Sequence, residues 1–337
     1  MKSGMWVKSS LIFDVKMSST AGGDGGDGGG EKPTKQVNTD ALVAAMAARD
    51  QQREEKKAAA VGGDEQEEEE EQQRPATTLS SCVDFGRDDE KLEHLELYDN
   101  QIQAIAGIQT LVNLQVLDLS FNEIRVIPDL SHLTKLKELY VANNKLKKIS
   151  GLEHLSTLTK LDLGANRLRT IEGLEGLVQL EQLWLGKNKI TAIQGLDNLT
   201  KLKIISVQSN RVVAIEGFAN TLSLEELYLS HNGIEKLENV AHLTNLTVID
   251  VGANRIASIP SDLATLTQLE DLWLNDNQVA QFADVEHLVP LAALRTLYLE
   301  RNPLAADFEY RKKLEAMLPE LDQIDAAPTT KARQGRA

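Results

Sequence analysis

The sequence predicts a right-handed α/β solenoid, a chain wound into about ten short coils whose parallel strands line one face, and three observations predict it. An asparagine recurs at Asn100, Asn122, Asn144, Asn166, Asn188, Asn210, Asn232 and Asn254 at steps of 22 residues, then at Asn277 and Asn302 after steps of 23 and 25. Before each asparagine stands an LxLxx segment or a close variant of it, such as LELYD before Asn100. After each come further apolar positions, Ile102 and Ile105 in the first coil and Ile190 and Ile193 in the fifth. No coil of this length buries its apolar side alone, but neighbours stacked on it do.

Each position has a mechanical reason. The two leucines of LxLxx, for example Leu95 and Leu97, leave a short strand on the same side, and the residue between them leaves it on the other. The asparagine follows where the chain turns inward, because a buried turn needs a side chain that can bond unpaired backbone groups. A repeat of 22 residues leaves room for only a brief helical or 3₁₀ turn on the far side, in segments such as GLEHL and GLDNL. This is the leucine-rich-repeat pattern, and strands at about 4.8 Å spacing make ten coils roughly 45 to 50 Å long, gently curved with the strands inside.

The expected organisation is a Gly/Glu-rich disordered tail over 1–78, an N-terminal cap or degenerate repeat over 79–91, leucine-rich repeats over 92–304, a C-terminal cap over 305–327 and a flexible tail over 328–337. Within the tail, Leu42, Val43 and Met46 share a face of a transient Ala-rich helix between Thr39 and Ala60. Val83 and Phe85 are expected to cover the first coil. In the C-terminal cap, Asp307 starts a helix whose stripe is Tyr310, Leu314, Met317 and Leu318, Pro319 stops it, and Leu321 and Ile324 return over the core.

Composition narrows function. One cysteine, Cys82, allows no disulfide framework within the chain and favours a reducing compartment. The opening apolar patch is broken by Lys8 and Asp14 and lacks a small-residue cleavage site, so no secretory signal is read there, and no apolar run is long enough to span a bilayer. A net charge of -15 argues against nucleic-acid binding. His132, His154, His242 and His287 occupy equivalent turn positions in different coils and converge on nothing, and no nucleophile or phosphate-binding motif occurs. The reading is therefore non-enzymatic, without metal or cofactor.

What varies is the residue between the strand leucines: Glu96, Asp118, Tyr140, Asp162, Trp184, Ser206, Tyr228, Asp250, Trp273 and Tyr298. Five of these ten are aromatic, on the side facing away from the core. Acids and Ser206 interrupt a continuous aromatic stack, whereas Trp and Tyr are enriched at binding hot spots. Flanking positions add Asp99, Glu138, Glu226, Asp271, Asp276 and Glu300 against Lys160, Lys187 and Arg301. An acidic face studded with aromatics suits a partner's basic patch.

The segments LYDNQI, LDLSFN, LGKNKIT, VQSNR, ELYLSHNGIE, NDNQ and YLERNPL, in this order at this spacing and followed by FEYRKKLEAMLPELDQIDA, resemble the leucine-rich-repeat regulatory subunit 7 family of type 1 protein phosphatase over about residues 90 to 327. The acidic tail and one or two missing upstream repeats depart from that family. The resemblance implies a non-catalytic regulator that binds the phosphatase catalytic subunit through its concave face, influences its activity, maturation and metal loading, sometimes with a further inhibitor subunit, and acts in nucleus and cytoplasm. It implies contacts at Asp118, Tyr140, Asp162, Trp184, Asp250, Asp271, Trp273 and Tyr298, to which the row adds Tyr228. The chain itself is expected to be monomeric and to bind neither nucleic acid nor membrane. The competing reading is a leucine-rich-repeat adaptor for a cytoskeletal, axonemal or ribonucleoprotein complex.

Overall fold

A computed structural model describes residues 92–334. The expected tail over 1–78, its transient helix and the cap over 79–91 with Cys82, Val83 and Phe85 lie outside them. Ten three-residue strands run in chain order: β1 (His94–Glu96), β2 (Val116–Asp118), β3 (Glu138–Tyr140), β4 (Lys160–Asp162), β5 (Gln182–Trp184), β6 (Ile204–Ser206), β7 (Glu226–Tyr228), β8 (Val248–Asp250), β9 (Asp271–Trp273) and β10 (Thr296–Tyr298). Each pairs in parallel with its neighbours in sequence, so the sheet is one row of coils. The middle residue of every strand, from Leu95 to Leu297, is buried.

The core is a single column of leucine, isoleucine and valine joined by Phe218. Leu117, Leu139, Leu161 and Leu183 are wholly inaccessible, and each stabilises the fold by about 1.5–3 kcal/mol through burial.

The asparagines form the expected ladder. Asn166 donates from Nδ2 to the carbonyls of Val141 at 2.9 Å, Leu163 at 3.0 Å and Gly164 at 3.2 Å, and its Oδ1 accepts the N–H of Leu146 at 2.9 Å. The same set recurs at Asn122, Asn144 and Asn188. To aim these side chains inward, the residue before each asparagine adopts a left-handed backbone, with φ between 51° and 58° from Asp99 to Arg301. Phe121, Ala165 and Lys187 sit there although no glycine relieves them.

On the far side, where a brief helical or 3₁₀ turn is expected, the 22-residue coils have isolated turns closed by bonds three residues apart, too short to form a helix. Leu155 N–H reaches the Leu152 carbonyl at 3.0 Å and Leu158 N–H the Leu155 carbonyl at 3.0 Å. Helical turns appear where the repeat lengthens. The extra residue before Asn277 accompanies a 3₁₀ turn at Ser261–Thr265, and the three extra residues before Asn302 accompany α1 (Phe282–Val285) and a 3₁₀ turn at Glu286–Leu288.

The C-terminal end is closed by a 3₁₀ turn at Pro303–Ala306, helix α2 (Tyr310–Met317), strand β11 (Gln323–Ile324) parallel to β10, and β12 (Ala327–Pro328) antiparallel to β11. Leu314, Leu318, Leu321 and Ile324 are buried on the last coil. Asp307 acts one turn earlier than a cap of α2: its Oδ1 accepts the Glu309 N–H at 2.8 Å, while the residue flanking the helix is Glu309, with no side-chain cap. Beyond residue 327, where a flexible tail is expected, the chain adds β12 and α3 (Thr330–Gln334). Arg311 holds this segment by donating to the carbonyls of Ile324, Ala327 and Pro328.

Candidate functional site

Strand pairing sets the third residue of each strand in one row, because Glu96 pairs with Asp118, Asp118 with Tyr140, Tyr140 with Asp162, and so on to Tyr298. With parallel pairing and a side-chain period of two, the row and the first residues of the strands, Glu138, Lys160, Glu226 and Asp271 among them, share the side opposite the core.

The row has more internal structure than its composition suggests. Ser206, between Trp184 and Tyr228, is small and only 2% exposed. Across it the two rings lean together, with centroids 6.4 Å apart and planes 21° from parallel. Trp273 and Tyr298 meet edge to face at 6.0 Å. Lys160 Nζ lies 5.1 Å from the Tyr140 ring centroid. The aromatics are thus paired locally, and Tyr228 and Asp250, expected to be open to a partner, are only 8% and 4% exposed. Asp118, Tyr140, Asp162, Trp184, Asp271, Trp273 and Tyr298 remain partly accessible.

Three of the acids have local tasks. Asp118, Asp162 and Asp250 accept the backbone N–H two residues on, from Ser120 at 2.8 Å, Gly164 at 2.9 Å and Gly252 at 3.0 Å. The tyrosines of the two ELY strands are tied as well: Tyr140 donates to Glu138, and Tyr228 donates to Glu226 at 2.7 Å. Burial first, then the adjacent carboxylates, pushes both phenols well above the ordinary tyrosine range. Burial also raises the Glu226 carboxyl, with Glu225 and Asp271 adding to it and the Tyr228 hydrogen bond opposing. Tyr298 OH accepts from Gln323 Nε2 at 2.7 Å, which fixes the last aromatic against the cap. At the same end Arg301 pairs with Asp276 at 2.8 Å and Glu300 at 3.2 Å, which offsets part of the acidic field there.

One residue, Gln208, escaped the sequence reading. Gln208 donates to Asp250 at 2.7 Å and to Ser230 at 2.9 Å, so it bridges three coils. Its signal was its size, since the matching positions before and after it are Gly164, Gly186, Ser230 and Gly252. The indole Nε1 atoms of Trp184 and Trp273 are covered and have no hydrogen-bond acceptor among the described residues. A covered donor without an acceptor costs about 1–3 kcal/mol, a cost that packing alone does not explain.

Asp250 gives this face a pH signature. Burial pushes its carboxyl above the ordinary 3.8, while hydrogen bonds involving Ser230, Gly252 and Gln208 and the nearby His231 pull the other way. A carboxyl raised in the folded state contributes stability that is full below the unfolded value and is lost as pH rises through the folded one. Asp250→Asn keeps an acceptor for Gly252 without the buried charge. Urea denaturation from pH 4 upward is expected to show the wild type losing stability relative to Asp250→Asn, and parallel curves would refute the assignment.

Among the described residues no group of three histidine, cysteine or acidic side chains is arranged to hold a metal, and no helix is long and apolar enough to cross a membrane.

Comparison with known proteins places the chain. Residues 208–335 match a family profile described as "Leucine-rich repeat", and overlapping matches over 90–220 carry the description "Leucine Rich repeats (2 copies)". A leucine-rich-repeat protein of Leptospira interrogans superposes with a TM-score of 0.65 at 26% identity, over 70% of this chain and 62% of the other. The chain is 46% identical over 64 residues to "Protein phosphatase 1 regulatory subunit pprA" of Dictyostelium discoideum, covering 19% of each protein. It is 48% identical over 48 residues to "Protein phosphatase 1 regulatory subunit 7" of Xenopus tropicalis, covering 14% of each. The matched segments therefore span about a fifth or less of these curated relatives. Coil geometry and profile matches agree that the chain belongs to the leucine-rich-repeat family, and the curated relatives it resembles over these short segments are named regulatory subunits of protein phosphatase 1.

Proposed function

We propose that the chain is a non-catalytic regulatory subunit that binds the catalytic subunit of type 1 protein phosphatase through its strand face and controls that enzyme's activity or maturation. The observation that carries this reading is the pair Trp184 and Trp273, two large rings on a partly accessible acidic face whose covered indole N–H groups have no acceptor among the described residues. The names of the relatives supply the partner. Around the rings, Asp118, Tyr140, Asp162, Asp271 and Tyr298 offer carboxylates and aromatic edges to a basic surface. Tyr228 and Asp250 act from beneath, the first by supporting the Trp184 ring and the second by holding the turn at Gly252.

A preformed face of this kind binds with little ordering entropy, so affinity concentrates in the aromatic anchors and encounter rate in the acids. Nucleus and cytoplasm, a further inhibitor subunit in the complex, and a monomeric free state belong to the same proposal.

Pull-down of the phosphatase catalytic subunit by the purified chain tests it. Trp184→Ala/Trp273→Ala is expected to weaken capture by about a hundredfold, or about 2.7 kcal/mol, since each indole is a hot-spot residue. Equal capture by wild type and the double variant, with both folded by circular dichroism, would move the contact off this face. Failure of the wild type to capture any phosphatase would remove the partner.

A further inference from the structure

A second charged surface lies away from the strand face. The chain carries 51 acidic against 36 basic residues, yet the four five-residue segments that begin at Asn144, Asn166, Asn188 and Asn210 hold seven lysines and arginines and no carboxylate. The residue after each of these asparagines is Lys145, Arg167, Lys189 and Arg211. Backbone bonds keep the four in register: each N–H donates to the coil before it, Lys145 to Ile124 at 2.9 Å, and Arg167 to Leu146, Lys189 to Leu168 and Arg211 to Ile190, each at 2.8 Å. Lys147 and Arg169, two residues further on, are exposed beside this row.

Acids neutralise the patch at its margins: Glu123 pairs with Lys145 at 3.6 Å and Glu172 with Lys148 at 3.8 Å. Among the described residues no carboxylate lies within ion-pair distance of Arg167, Lys189 or Arg211. Like charges repeated across stacked coils repel, so such a row weakens the solenoid unless an anion fills it.

We propose that this edge is a second docking site, separate from the strand face and independent of the phosphatase reading, and that its occupant is an extended acidic segment of a partner protein. The geometry argues for a peptide. Four coils at about 4.8 Å give a straight row roughly 14 Å long, which an extended chain at about 3.3 Å per residue crosses with four or five residues. Nucleic acid fits less well: single strands need aromatic platforms between the cations, and here the same segments contain no aromatic residue, while the overall charge of -15 repels a long phosphate backbone.

Fluorescence anisotropy with labelled oligoglutamate and the full chain, at low and at physiological ionic strength, tests the site. Wild type is expected to bind with a strong salt dependence, and Arg167→Glu/Lys189→Glu/Arg211→Glu to weaken binding at least about tenfold. The control Lys201→Glu/Lys312→Glu/Arg333→Glu changes net charge equally at exposed positions elsewhere, and its loss is expected to stay below about threefold. Equal losses in the two triple variants, equal binding of oligoglutamine, or no binding of oligoglutamate at low salt would each overturn the proposal. So would tighter binding of a charge-matched oligothymidylate that the first triple abolishes, which would make the edge a nucleic-acid surface. If the first triple fails the circular dichroism check, Arg211→Glu alone, at an exposed position, carries the same comparison against Lys201→Glu.

Discussion

Replacing Asn166 with alanine is expected to destabilise the solenoid by about 2–3 kcal/mol, because it strands a backbone N–H that water does not reach. The N–H of Leu146 loses its acceptor, while the carbonyls of Val141 and Leu163 each lose one of two donors and keep Asn144 and Asn188, inside a coil junction where Asn166 itself is 7% exposed. The Leu146 N–H has no second acceptor among the described residues, so no side chain nearby substitutes for Asn166 there. Asn100→Ala is the contrast. That residue is half-buried and bonds the carbonyls of Leu97 and Tyr98 in its own coil, so its loss is expected to cost about 1 kcal/mol. Urea melts of both variants measure the difference, with the slope checked because stacked repeats need not unfold in one step. A difference below about 1 kcal/mol would mean that water replaces the amide.

A second large effect is expected at Gly151, whose φ of +74° is joined by an unusually close neighbour. A β-carbon there would stand 2.1 Å from the Pro128 carbonyl oxygen and 2.7 Å from that of Ile127. Gly173, one coil on, has a similar φ of +68° but its nearest such atom, the Ile149 oxygen, is 3.1 Å away. The position tolerates asparagine where space allows, since Asn239 occupies it at φ 61° and bonds the Ile215 carbonyl at 2.9 Å. Gly173→Asn is therefore expected to cost about 1 kcal/mol, and Gly151→Asn at least about 3 kcal/mol, because only the latter must push two coils apart. Thermal unfolding of the pair separates backbone conformation from collision. Equal melting points would show that the coil before Gly151 yields.

The coil architecture was legible because it is periodic: one spacing, held over seven steps of 22 residues and stretched only in the last two, fixes strand, turn and core together. The aromatic and acidic row was legible for the same reason, since the side-chain period of a strand is two. What could not be read was how neighbours in that row treat one another. That Trp184 reaches Tyr228 depends on the smallness of Ser206 and the tilt of two rings, and that Asp250 is covered depends on Gln208, two strands away. Such contacts are set by rotamers across coils, where sequence distance carries no signal. The helical turns followed repeat length more than composition, as GLEHL and GLDNL remain simple turns while the longer coils wind helices around Ser261 and Phe282.

From Asn122 onward each ladder asparagine bonds its own coil and the coil before it, and none of these bonds reaches the coil after, so the solenoid has a polarity of assembly. The N–H groups of Ile124, Leu146 and Leu168 are satisfied only once the following coil is in place. Growth from the first coil toward the last therefore leaves an unfinished front at every step, and Asp325, which takes the N–H groups of Leu299 and Glu300 at 2.8 and 2.9 Å, finishes the last one. A chain pulled from its C-terminal end would orphan the N–H groups of the Ile124, Leu146 and Leu168 series one coil at a time, whereas peeling from the other end would orphan those of Lys145, Arg167 and Lys189 and free the asparagine side chains. Unzipping force measured from the two ends should differ, with the cap as the latch.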